Sequence, residues 1–236
     1  MENCPDVSIV IPAYNEEDRI VDCIENIDHT FMELPLLPEI VVIDDGSKDK
    51  TFQKALHVKT FSNLHVIQNK RNEGKGSAIK NGFGLCHGDI VLFMDADLTI
   101  NFKTLTKILD TLDNVDIVIG SKWLPESSVN YSFKRRLLSH SFNVLVGLLI
   151  DLPFSDTQCG LKAFKRQALD SLMPLTQIKR WAFDVELLYY AQKYGYSVKE
   201  IPLKIVNREK GLTFGAMLKM GLDVFSLSHY KTHFKL

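Results

Sequence analysis

Ile90-Val91-Leu92-Phe93-Met94-Asp95-Ala96-Asp97 is a run of five apolar residues followed at once by two carboxylates with one small residue between them. A strand with one wet face alternates apolar and polar side chains. This run does not alternate, so both of its faces must be covered, as in a parallel sheet with helices on either side. Four similar runs lie around it. Val7 to Ile11 ends at Pro12, and Glu39 to Ile43 ends at Asp44-Asp45-Gly46. Leu64 to Ile67 precedes Asn69 to Gly76, and Val115 to Ile119 ends at Gly120.

Helical patterns separate these runs. Glu16 to Asp28 places Ile20, Cys23, Ile24 and Ile27 on one stripe, and Lys75 to Cys86 and Lys103 to Leu112 read similarly. Strand–helix–strand alternation predicts βαβ units and an α/β fold with a mostly parallel, doubly wound sheet. Ligands of such sheets bind beyond the carboxyl ends of the strands, where Tyr14, Asp44, Asp45, Asp95 and Asp97 fall. The second half differs. Lys134 to Ile150 carries an apolar stripe from Leu137 to Leu149 behind Lys134, Arg135 and Arg136. Val185 to Tyr194 predicts a helix, Val198 to Val206 an extended segment broken by Pro202, and Phe214 to Phe225 a second apolar helical stripe. No Pro/Gly/Ser linker and no repeat divides the chain. It reads as one domain over 1–236, with the strand-rich part in 1–120 and a C-terminal extension in 121–236.

Of the 236 residues, 45% are hydrophobic and 24% charged, which excludes a disordered or collagen-like chain. The net charge is −1, so there is no global positive field and no nucleic-acid partner is expected. Cys4, Cys23, Cys86 and Cys159 show no metal-type spacing and no disulfide framework, which favours a reducing, cytoplasmic compartment. The N-terminus lacks a signal-peptide pattern. The apolar stretch Val144 to Ile150 is far shorter than the ~20 residues that span a bilayer, so the chain is not expected to cross a membrane.

Several short constellations each carry two readings. Asp95-Ala96-Asp97 is a solvated acidic turn, or a site whose hard oxygen donors bind Mg²⁺ or Mn²⁺ and the phosphates that ion carries. Asp44-Asp45-Gly46-Ser47 is a turn with Ser47 capping the next helix, or a site where Asp45 accepts from a nucleobase N–H while Asp44 is structural. Pro12-Ala13-Tyr14-Asn15-Glu16 is a turn with Asn15 as the cap, or a place where Tyr14 stacks on a base and Glu16 holds a ribose hydroxyl. Gly74-Lys75-Gly76 lets the backbone approach a phosphate beside a cation, but lacks the full P-loop pattern.

Taken in order and spacing, V-S-I-V-I-P-A-Y-N-E-E, E-I-V-V-I-D-D-G-S, N-E-G-K-G and F-M-D-A-D-L resemble the family 2 glycosyltransferases of the GT-A fold, from Val7 to about Leu98. The resemblance implies a nucleoside-diphosphate sugar donor and a divalent metal. It implies that Pro12, Ala13, Tyr14, Glu16 and Asp45 hold the nucleoside, with Lys75 nearby. Asp95 and Ala96 contact the ribose–diphosphate, and Asp97 joins Asp95 on the metal. In the second half, Gly120-Ser121-Lys122, Arg135-Arg136, Asp156 to Lys162 (DTQCGLK) and Trp181 to Leu187 (WAFDVEL) look like the polyprenyl-phosphate sugar synthases, the dolichyl-phosphate glucose and mannose synthases among them. The D-T-Q-C-G-L-K-A-F segment is closer to the glucosyl type. Two positions depart from the pattern. Thr99 stands where mannose synthases often carry Gln, and Lys122 stands where Arg is usual, losing the bidentate fork.

The implied reaction moves a hexose from UDP-glucose or GDP-mannose to a polyprenyl (dolichyl) phosphate with inversion at the anomeric carbon. Leaving-group charge calls for the metal and for cationic side chains. A phosphate monoester has its second pKa near ~6, so the acceptor is largely a dianion at neutral pH and needs little deprotonation. Asp156 is the base offered by the resemblance; orientation of acceptor or sugar is an equal role. Lys122, Arg135 and Arg208 are candidates for the acceptor phosphate. Asp184 and Glu186 read as exposed acids at a helix start, suited to sugar hydroxyls or to the helix dipole. The stripes at 137–149 and 214–225 face a core, or meet lipid at the cytoplasmic face of a membrane. With no spanning segment, there is room for a membrane-anchored partner subunit. The rival functions are a family 2 transferase with a glycan or protein acceptor, and a non-catalytic scaffold keeping the fold.

Overall fold

The computed structural model describes residues 4–129, 141, 143–144, 146–147, 149–205, 221 and 223–225. Arg135, Arg136, Arg208 and most of the 214–225 stripe lie outside them.

The expected strands form. They are β1 (Val7–Ala13), β2 (Pro38–Asp44), β3 (Asn63–Gln68), β4 (Ile90–Met94) and β5 (Ile117–Ser121). A short β6 (Ser128–Val129) pairs with β9 (Lys204–Ile205) in a separate ladder. Leu161–Lys165 forms β7 and Val198–Pro202 forms β8. The main sheet runs β3-β2-β1-β4-β7-β5-β8. All its neighbouring pairs are parallel except those made by β7, which is antiparallel to both β4 and β5. This is the mostly parallel α/β sheet expected, with one reversed strand inserted in its middle.

Alternate residues of each strand enter two cores. Val10, Val41, Val91, Phe93, Ile117 and Phe164 pack on one face, under α3 (Lys75–Phe83), α5 (Arg166–Leu172) and α6 (Phe183–Lys193). Ile9, Ile11, Ile40, Val42, Leu92 and Val118 pack on the other, under α1 (Ile20–Phe31) and α4 (Phe102–Leu112). A small helix α2 (Thr51–Leu56) sits between β2 and β3. Burial on both faces is why the strand sequences do not alternate. The described residues of 141–150 are helical; Val146 and Ile150, beside the stripe, are buried in the first core, Leu149 of the stripe packs partly buried against it, and Ser141 is exposed.

Two expected caps are corrected. Helix α1 begins at Ile20, not Glu16, because Asn15 turns the chain in the left-handed region at φ 55°. Asn15 does not cap; its Oδ1 accepts from the Lys48 N–H at 2.8 Å, and its own N–H donates to Ser47 Oγ at 2.8 Å. Ser47 does not cap α2 either, since its hydroxyl donates to Asp44. These bonds lace the turn after β1 to the turn after β2, so the two strand-end loops form one surface.

Candidate active site

The carboxyl ends of β1, β2 and β4 bring Tyr14, Asp45, Asp95 and Asp97 to one edge of the sheet, as parallel pairing requires. Pro12 is half-buried, Ala13 is buried, and Tyr14 projects with 39% exposure. Glu16 forms an ion pair with Arg19 at 2.8 Å. Asp44 is fully buried and accepts from Ser47 and from Gln68 Nε2, a structural role. Asp45 is buried, and its carboxylate takes Asn69 Nδ2 at 2.9 Å, the Glu73 N–H at 3.0 Å and the Gly74 N–H at 2.7 Å. It therefore shapes the Asn-Glu-Gly-Lys-Gly turn as well as closing β2, and a base N–H would be one more donor to it. Gly74 has φ 105°, a conformation open to glycine and little else.

Asp95 sits where the two halves of the chain meet. Its N–H donates to the Gly160 carbonyl at 2.9 Å, and Lys75 Nζ lies 2.9 Å from its Oδ1. A Cβ on Gly160 would fall 2.0 Å from Asp95 Oδ2, so only glycine admits the carboxylate there. Lys75 is equally close to Asp184 Oδ2, at 2.9 Å. Burial acts to lower the Lys75 pKa, but Asp184 and Asp95 overcome it and hold it above its ordinary value. Burial acts to raise that of Asp184, and Lys162 and Lys75 bring it below the usual carboxylate range.

Asp184 and Glu186 are not the exposed helix-start acids the sequence suggested, being 3% and 2% exposed. Asp184 lies between two ammonium groups. Glu186 accepts the N–H groups of Gln177 and Ile178, which seats the loop before α6 against the Gly74–Gly76 turn, where Ser77 N–H reaches the Lys179 carbonyl. Burial raises the Glu186 pKa.

In the second half of the chain, Asp156 is 1% exposed. Its Oδ2 lies 2.5 Å from Lys122 Nζ and accepts the Lys122 N–H at 3.0 Å. Its Oδ1 is buried with no hydrogen-bond partner among the described residues. The Ser155–Asp156 turn hangs on Glu200 of β8, whose Oε1 accepts the Ser155 N–H at 3.0 Å and the Asp156 N–H at 3.2 Å. Glu200 and Lys162 are organising residues to which pattern reading assigned no individual role; Asp184, expected as an exposed helix-start acid, is a third. A charged residue inside an otherwise apolar strand, such as Lys162 in Leu161–Phe164, was the available signal.

Asp95 and Asp97 are the residues that could hold a divalent cation. The buried Cys23 thiol is pushed up first by burial and then by Asp97, Asp95, Glu16 and Asp22, so carboxylate charge converges beside the end of β4. No group of three or more ligating side chains occurs among the described residues. Asp97 and Asp95 would therefore leave most of the coordination shell to phosphate and water oxygens, the usual habit of Mg²⁺. Thr99 is exposed.

Replacing Gly160 by Ala should displace the Asp95 side chain. The expected result is a folded protein with donor affinity lowered about tenfold or more, the usual size of an effect on a supporting contact. A Gly160→Ala variant with unchanged nucleotide affinity by calorimetry would mean that Asp95 takes no part in donor binding.

Comparison with known proteins agrees with this architecture. A mannosyl-3-phosphoglycerate synthase from Rubrobacter xylanophilus superposes with a TM-score of 0.72 at 18% identity, covering 96% of this chain and 74% of that one. A glucosyl-3-phosphoglycerate synthase from Mycobacterium tuberculosis, in complex with Mn²⁺, UDP-glucose and phosphoglyceric acid, gives 0.71 at 22% identity, covering 95% and 79%. These neighbours show the GT-A fold. In sequence, the chain is 33% identical to a dolichyl-phosphate beta-glucosyltransferase of Homo sapiens over 92% of its length and 73% of that protein. It is 32% identical to one of Dictyostelium discoideum over 92% and 72%. The family model described as glycosyl transferase family 2 matches residues 8–173, and the chain belongs to glycosyl transferase family 2.

Proposed function

We propose that this chain transfers glucose from a nucleoside-diphosphate glucose, UDP-glucose in the first instance, to dolichyl phosphate. The observation that carries the reading is the likeness to dolichyl-phosphate beta-glucosyltransferases of several organisms, which extends through the acceptor-side half; in Drosophila melanogaster it reaches 32% identity over 96% of the chain. Nothing comparable supports the GDP-mannose donor. The division of labour follows the sheet. Residues 1–120 bind the nucleotide sugar, and 121–236 bind the acceptor.

Tyr14, Glu16 and Asp45, with Pro12 and Ala13, form the nucleoside side of the site. Asp95 and Ala96 meet the ribose–diphosphate. Asp97 and Asp95 hold Mg²⁺ or Mn²⁺, which when bound offsets the charge on the departing diphosphate. Lys75 spends two of its three donors on Asp95 and Asp184, leaving the third for the donor. At the other end of the site, Lys122, Arg135 and Arg208 offset the charge of the incoming phosphate. Asp156 is buried and paired to Lys122. The dianionic nucleophile does not need a proton acceptor. The role of Asp156 is to hold Lys122 in place.

The test is a donor screen with purified protein, Mn²⁺ and a short dolichyl phosphate, following radiolabel into the lipid fraction. Glucose should be transferred from UDP-glucose, and mannose from GDP-mannose should not. Label appearing only in a glycan or protein fraction would assign a different acceptor. Transfer from no donor would favour the scaffold.

Peripheral membrane attachment is part of the same reading. Among the described residues no helix is long and apolar enough to cross a membrane, and Val144, Trp181 and Phe225 expose large apolar surfaces in the acceptor half. The protein should co-sediment with anionic liposomes, and more weakly at high salt, because surface charge is screened. Absence of binding at every salt concentration would rule out lipid contact by these side chains.

A further inference from the structure

Lys162 is a lysine in the middle of the sheet. It lies on β7, the reversed strand between β4 and β5, and is 1% exposed. A buried ammonium is costly unless paired and hydrogen-bonded. Lys162 Nζ lies 2.7 Å from Asp184 Oδ1 and donates to the Cys159 carbonyl at 2.6 Å. Each partner leads to Asp95. Asp184 holds Lys75 through its other oxygen, and Lys75 holds Asp95 Oδ1. Cys159 precedes Gly160, whose carbonyl takes the Asp95 N–H and whose bare Cα faces Asp95 Oδ2.

We propose that Lys162 is a positioning residue for Asp95, acting through both Asp184–Lys75 and the Cys159–Gly160 turn. The four side chains alternate in sign, Lys162, Asp184, Lys75, Asp95, and sum to zero charge. One oxygen of Asp95 is taken by Lys75, and the other is set by the close approach of Gly160. The Gly160 turn also carries Asp156, four residues earlier, so the ammonium that orients the donor-side carboxylate anchors the acceptor-side segment as well. This inference rests on the reading of Asp95 as a donor and metal carboxylate.

A purely structural role for Lys162 would be to neutralise Asp184. Two variants separate the roles. Lys162→Met leaves Asp184 buried and unpaired on that side and should lower the melting temperature. Lys162→Met/Asp184→Asn removes both charges and should recover most of that loss. If Lys162 positions Asp95, the double variant should still bind Mn²⁺ in the presence of UDP about 10- to 100-fold more weakly than wild type, as losses of supporting contacts at metal sites do. The Lys75 ammonium signal in ¹H–¹⁵N spectra of the protein without ligand should also shift or exchange faster in both variants. Wild-type Mn²⁺ affinity in a double variant of recovered stability would overturn the proposal. So would a Lys75 signal that does not move. Failure of the wild type to bind Mn²⁺ would instead count against the functional reading, and the ammonium spectra would still decide the role of Lys162.

Discussion

Asp97→Asn is expected to fold like the wild type and to lose turnover by about 10²–10³-fold, the scale set by removing one preorganised charge-stabilising group. Asp97 is half-buried on the turn after β4, outside both cores, so the fold does not depend on its charge. Asp95 is already committed to Lys75 and Gly160. The amide keeps the size of the side chain but halves its oxygen donors and removes its charge. Mn²⁺ affinity should fall with activity, and the melting curve should not move. Full activity in Asp97→Asn, or in wild type with excess chelator, would remove the metal from the mechanism.

The second large effect separates charge pairing from base catalysis at the acceptor. Arg208→Ala should raise the apparent KM for dolichyl phosphate on the order of 10- to 100-fold, the worth of a hydrogen bond to a charged group. A general base contributes about 10²–10⁴-fold. If Asp156 holds Lys122, Asp156→Asn should lose less than about 10²-fold at pH 8, with the deepest loss below pH 6, where the acceptor takes up a proton. Lys122→Met should be the least stable of the three, because it leaves Asp156 buried with no partner for Oδ1 among the described residues; breaking such a pair costs about 3–5 kcal/mol. A pH–rate comparison is decisive. A flat, near-complete loss in Asp156→Asn with little change in Arg208→Ala would make Asp156 the base.

Strands β1, β2 and β4 were legible because each is buried on both faces and therefore largely apolar, and β4 matches its sequence run residue for residue; β3, at the edge of the sheet, is only partly buried and was legible from the short run Leu64 to Ile67. The α1 stripe of Ile20, Cys23, Ile24 and Ile27 was legible for the complementary reason, since its period matches one buried face. The start of that helix was not. Its boundary depends on Asn15 bonding across to Lys48, a contact between residues distant in sequence. The same holds for Ser47, which local rules make a helix cap and which the fold uses to satisfy buried Asp44.

Sequence alone determined β1 to β5, the helices α1, α3 and α4, the acidic residues at the strand ends, and the family pattern from Val7 to Leu98, because these depend on local periodicity and on residues adjacent in the chain. Tertiary structure decided which charges are paired. Leu161-Lys162-Ala163-Phe164-Lys165 holds two lysines in five residues and does not read as a central strand. It becomes one because Asp184, from a helix that follows it by some twenty residues, meets Lys162 at 2.7 Å inside the protein. Asp184, read as exposed, is buried between two ammonium groups for the same reason. A carboxylate can leave water only when opposite charge and hydrogen bonds replace its hydration, and in this chain those partners come from segments that only folding brings together.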